Sequence, residues 1–181
     1  HAPETTSVSV KKIWDDKNDV AGKRPANLIV TLSNGTEVTL NESNNWTATV
    51  NDLPKYANGT EITYTWTEKN VPTGYAVTSN TQDANDPSLT NITNYYDLNQ
   101  ETTSLSITKD WDDFNNAAGK RPDSLTVELY ADGVLSTTVT LKATENWTAT
   151  VSGLPIYDPT TGAKITYDWS EGTMPAGYSL K

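Results

Sequence analysis

Three polar side chains in this sequence fall where strand alternation calls for apolar ones, and together they have the makings of an amide bond. In VSVKKIWDD, residues 8–16, side chains alternate faces, so Val8, Val10, Lys12 and Trp14 point one way while Ser9, Lys11 and Ile13 point the other. Lys12 therefore joins the apolar face. In ITYTWTE, Glu68 shares a face with Ile62, Tyr64 and Trp66, and in ITNYY, Asn94 shares one with Ile92 and Tyr96. Desolvation pushes a lysine toward the neutral amine, a nucleophile, and a glutamate toward the neutral acid, a proton donor. A carboxamide within reach of that amine would lose ammonia while the acid polarised its carbonyl and shuttled protons. The product replaces two desolvated polar groups by one neutral linkage. A plainer reading stands beside this one: an inward lysine near a strand end commonly snorkels, or forms half of a buried ion pair with glutamate.

The elements that must position these side chains occur twice. KIWDDKNDVAGKRPANLIVTL, residues 12–32, matches KDWDDFNNAAGKRPDSLTVEL, residues 109–129. NNWTATVNDLPKY from Asn44 matches ENWTATVSGLPIY from Glu145, and EITYTWTEKNVPTGY from Glu61 matches KITYDWSEGTMPAGY from Lys164. The spacing drifts between these blocks, which places small insertions in loops, where they cost little. Two homologous domains are expected, at 7–97 and 102–181, joined near LNQE; HAPETT at the start is set aside as a linker remnant.

Within each repeat the segments are short, rich in Thr, Val, Tyr and Trp, and bounded by Gly, Pro, Asn and Asp. NGT at Asn34 and ADG at Ala131 are hairpin signals. No window carries a capped period of 3.6 residues. The fold expected is all-β: two tandem immunoglobulin-like antiparallel β-sandwiches of about seven strands each, with helix nearly absent. Little follows Gly177 and Tyr178, so the second sandwich is expected to lack its last strand, the counterpart of TNITNYYD. Lys109 and Glu171 repeat the positions of Lys12 and Glu68, but nothing after them repeats Asn94. These two are expected to stay unlinked, paired with each other or partly solvated at an open sheet edge.

Composition removes other chemistries. With 13 basic against 23 acidic residues the net charge is −10, which disfavours nucleic acid and anionic membrane surfaces. The chain has no cysteine, and its single histidine is His1, so triad nucleophiles and thiolate or imidazole metal sites are not expected. No apolar run approaches the ~20 residues of a membrane span, so any secretion signal or anchor is expected outside this segment. DDKNDVAG and DDFNNAAG lack the ligand alternation and closing Glu of a calcium loop and read as solvated Asx-rich turns; neither a metal nor a cofactor is expected. AGKRP is no phosphate-binding loop, and LPKY and LPIY read as strand-end turns. Apart from the turns at Asp15/Asp16 and Asp112/Asp113, no carboxylate pair is placed on convergent strand ends, which argues against a hydrolytic enzyme working through paired carboxylates. Six tryptophans invite a carbohydrate- or host-protein-binding alternative, but all six fall on apolar faces, which favours core packing.

The motifs KIWDD…GKRP and KDWDD…GKRP, NNWTATV..LPKY, YTWTEKNVPTGY, YDWSEGTMPAGY and the terminal ITNYY resemble the B-type repeat (CnaB) domains of the collagen adhesin family, found in Gram-positive surface proteins and pilins. The resemblance covers nearly the whole chain. It implies that Lys12 forms a spontaneous isopeptide bond with Asn94, assisted by Glu68 as the catalytic acid. It further implies a monomeric stalk or backbone segment of a cell-wall-anchored extracellular protein, with no turnover chemistry. The partners implied are neighbouring domains of the same protein, with any host ligand bound by other domains.

Overall fold

The computed structural model describes residues 3–181, and the chain divides into two compact units, one ending at Leu98 and the next beginning at Asn99. His1 lies outside the described residues. In the first unit one sheet contains β1 (Thr5–Asp15), β4 (Thr47–Pro54), β8 (Tyr75–Gln82) and β9 (Leu89–Tyr96), in the order β4-β1-β9-β8. The facing sheet contains β2 (Asn27–Leu32), β3 (Glu37–Asn41) and β7 (Trp66–Glu68), in the order β3-β2-β7. A minimal hairpin of β5 (Tyr56–Ala57) and β6 (Thr60–Glu61) stands apart. Helix among the described residues is confined to three 3₁₀ turns.

The inner faces are those that alternation selects. Val10, Leu28, Val30, Leu32, Leu40, Leu53, Trp66 and Ile92 form one buried cluster, while Lys11 and Ile13 on the other face of β1 are exposed. At the β2–β3 turn Gly35 takes φ +94°, a backbone region costly for any residue with a Cβ. β1 begins at Thr5, not after the leader: Thr5 and Thr6 pair with Pro54 and Leu53, so HAPETT is in part structural.

One pairing departs from the antiparallel rule. β1 and β9 run parallel, with Lys12 opposite Ile92 and Trp14 opposite Asn94. Parallel neighbours need a long crossover connection. Here the chain between the two strands, which forms the rest of the unit, supplies it.

The second unit repeats this plan in shorter form. β10 (Thr102–Thr108) pairs with β13 (Thr148–Pro155), and β12 (Val134–Lys142), β11 (Ser124–Ala131) and β14 (Tyr167–Glu171) form the facing sheet. Leu125, Val127, Leu141 and Trp147 are its core. Among the described residues no strand follows Glu171. β10 ends at Thr108 whereas β1 runs on to Asp15, because only the parallel partner β9 pairs the last residues of β1. Lys109 and Trp111 thus leave the strand that the sequence pattern gives them.

Candidate functional site

Lys12 and Asn94 project from neighbouring strands of one sheet, and Glu68 faces them from β7 of the other. The side chains of Lys12 and Glu68 are 0% and 2% exposed, and Asn94 is wholly buried. Lys12 Nζ lies 2.7 Å from Glu68 Oε1, and Asn94 Nδ2 donates to the same oxygen at 2.8 Å. One carboxylate oxygen therefore meets both nitrogens. Glu68 Oε2, Asn94 Oδ1 and Lys12 Nζ nevertheless lack a partner in good hydrogen-bonding geometry. Burial without full satisfaction costs about 1–3 kcal/mol per polar group, and more for charged ones, so the trio is held together against its own solvation. Burial pushes the Lys12 ammonium below its ordinary value of 10.5, against the opposing pull of Glu68. That direction favours the amine.

Aromatic rings close the site. Lys12 Nζ sits 5.0 Å from the centroid of Trp14, which packs in T-shaped contact with Trp46 and Tyr75 at centroid distances of 5.1 Å each. The Lys12 backbone N–H donates to Trp46 O at 2.8 Å. Trp46 and its counterpart Trp147 are not strand residues: each takes φ +56° after a 3₁₀ turn, so their inward direction comes from that turn and not from alternation. None of the six tryptophans is exposed, and all pack on the two cores. None of the six therefore offers an open tryptophan platform for sugar.

In the second unit Lys109 Nζ makes a close ion pair with Glu171, their side chains 17% and 11% exposed. Trp111 stands 5.0 Å from this amine as Trp14 does from Lys12. A groove lined by Ile107, Lys109, Trp169, Glu171 and Met174 opens beside this pair, and among the described residues no strand follows β14 to supply an acceptor.

The loop after β1 is not the solvated turn its composition suggests. Asp16 is 2% exposed and receives Arg24 Nε and Nη2 at 3.1 and 2.7 Å, Tyr75 Oη at 2.8 Å and the Asp19 N–H at 3.0 Å. Burial alone would raise the Asp16 pKa, but these donors together hold it below the usual carboxylate value. Burial and the same carboxylate push the Tyr75 hydroxyl well above its usual range. Asp113, Arg121 and Tyr178 repeat the cluster. The available signal was repetition: both copies carry Asp, then Arg-Pro eight residues on, and later Gly-Tyr. No group of three or more potential metal ligands occurs among the described residues. No helix among them is long and apolar enough to cross a membrane.

A family profile described as Cna protein B-type domain matches residues 8–95 and again 105–181. A collagen adhesin of Staphylococcus aureus is 41% identical over 99% of this chain, which spans 14% of that protein's length. A single B repeat unit (B1) of the collagen-binding surface protein of S. aureus is 36% identical, covering 97% of this chain and 90% of that one, with a TM-score of 0.41. Two such units (B1B2) are 37% identical over 98% of this chain and 45% of theirs, with a TM-score of 0.42. The chain belongs to the Cna protein B-type domain family, with one such domain in each unit.

Proposed function

We propose that this chain is a pair of structural repeats from the stalk of a Gram-positive surface adhesin or pilin, its first unit locked by an isopeptide bond between Lys12 and Asn94. The observation that carries the reading is the convergence of Lys12 Nζ and Asn94 Nδ2 on one buried oxygen of Glu68. The neutral amine attacks Asn94 Cγ. Glu68, as the acid, stabilises the developing charge on Oδ1 and relays the amine's proton to the departing nitrogen. Lysine amine plus carboxamide gives a secondary amide plus ammonia, and Glu68 ends in the state in which it began. Each chain reacts once, so there is no turnover and no cofactor is needed.

The bond would join the first and last strands of the unit. Tension between its ends then passes from β1 to β9 through a covalent link, bypassing the chain between them. The role that follows is mechanical, in an extracellular, wall-anchored protein whose neighbouring domains are the chain's partners, with any host ligand held elsewhere. Membership in the adhesin's family supports this role.

Intact-mass spectrometry tests the bond: the reacted chain is lighter by one ammonia, about 17 Da. Lys12→Ala and Asn94→Ala should each restore the full mass of their own sequence. A wild-type chain of unreduced mass would sink the claim.

A further inference from the structure

We propose that Asp16, Arg24 and Tyr75 form a positioning device for the reaction at Lys12, clamping the Trp14 ring over its amine. The inference rests on the isopeptide reading above. Trp14 is the common neighbour: Lys12 Nζ lies 5.0 Å and Arg24 Cζ 5.5 Å from its centroid, and the ring of Tyr75 packs against it in a T-shaped contact. Both Arg24 and Tyr75 are in turn fixed by one carboxylate, Asp16. Keeping water from an amine disfavours its charged form and so keeps it nucleophilic. A tryptophan free to swing would admit water to Nζ.

The loop carries the marks of a specified structure. Lys17, Asn18 and Asp19 all take left-handed backbone angles, φ 51°, 58° and 57°. Each costs on the order of 1 kcal/mol, and such strings persist only where the surroundings over-determine them. Asp16 supplies that determination by accepting the Asp19 N–H, and Asp19 then accepts the Arg24 N–H at 2.9 Å. The chain thus turns back so that Arg24 reaches Trp14. Phe114, Asn115 and Asn116 repeat the strain in the second unit, and Arg121 again stands over the tryptophan, at 5.4 Å. There Lys109 retains some exposure, and among the described residues no strand follows Glu171. The clamp therefore exists independently of β9, and the two act as separate walls of the amine's site.

The test uses the whole chain carrying Asn94→Ala, in which the Lys12 amine stays free. Its titration is followed by NMR of lysine labelled at Cε. Glu68 from β7 is the charged group that meets this amine, while Arg24 is neutralised by Asp16. Tyr75→Phe keeps the ring, changes no charge and removes only the hydroxyl that Asp16 holds. It should move the Lys12 midpoint up toward 10.5. Each unit of that rise leaves about tenfold less neutral amine. With Asn94 restored, Tyr75→Phe should slow ammonia loss at pH 7 by the same factor. Arg24→Lys, which keeps the charge but not the bidentate fork, should act in the same direction. An unchanged Lys12 titration and an unchanged bond-forming rate, alongside a lower melting temperature, would show a purely structural cluster and overturn the proposal. Should the wild-type chain keep its full mass, the bond reading falls, and the Lys12 titration still decides the role of the clamp.

Discussion

Lys12 and Asn94 are diagonal neighbours on parallel strands: Lys12 lies opposite Ile92, and Asn94 opposite Trp14. Diagonal neighbours on one face are within reach of long side chains. The lysine stem can therefore lean along the sheet toward Asn94 while Trp14, opposite that asparagine, covers the amine. An antiparallel register would place the first strand's amine against a chain running the other way. The parallel pair instead brings the beginning and the end of the unit together at one site.

Glu68→Gln preserves the shape of the site and removes the proton relay proposed for it. The variant is expected to fold, to keep its full mass and to melt earlier. A crosslink closing a loop of roughly 80 residues stabilises by about 4–5 kcal/mol through the unfolded chain, so the melting temperature of the first unit should fall by roughly 20 °C. Calorimetry together with intact mass checks both halves. A variant that still loses ammonia would remove Glu68 from the chemistry.

The second unit serves as an internal control. Lys109→Ala should leave the expected deficit of one ammonia, about 17 Da, untouched, whereas Lys12→Ala should abolish it. Removing Lys109 orphans Glu171, which is partly reached by water, so the cost should be about 1–2 kcal/mol. Loss of a second ammonia from the wild-type chain would contradict the unlinked pair.

The inward faces of Lys12, Glu68 and Asn94 were legible because strand alternation has a period of two and the repeat supplied a second copy for two of them. Alternation assigns faces and not partners, so the parallel β1–β9 pairing was hidden. The pattern also carried on through NNWTATV, although Trp46 takes a left-handed backbone and stands outside the strand. Asp16 and Arg24 were missed for a related reason. Their loop bends through consecutive left-handed residues, which have no periodic signature, and acidic turn composition ordinarily means solvation. Lys109 read as a strand residue because the pattern of β10 continues past the point where pairing stops.

Acid should loosen the first unit through Asp16. Its folded pKa is depressed, so its contribution is full above the unfolded value near 4 and is lost as pH falls through the folded value. Asp16→Asn removes that dependence. Its stability should be lower by about 3 kcal/mol at neutral pH, as for a broken buried pair, and should converge on the wild type in acid. Urea melts at a series of pH values would show parallel curves if Asp16 were not the titrating group.

The free amine predicts the opposite limb. In Asn94→Ala the folded Lys12 pKa lies below the unfolded value of 10.5, so between the two the unfolded chain binds the extra proton. Stability must then rise with pH across that window, since burying the charged form costs more than burying the neutral one. A wild-type chain crosslinked as proposed would have no amine at this position and should lack the rise. Replacing the lysine as well, in Lys12→Met with Asn94→Ala, should flatten the curve while keeping the buried stem. Urea melts from pH 7 to 11 separate these cases, and a rise that survived Lys12→Met would assign the effect to another group.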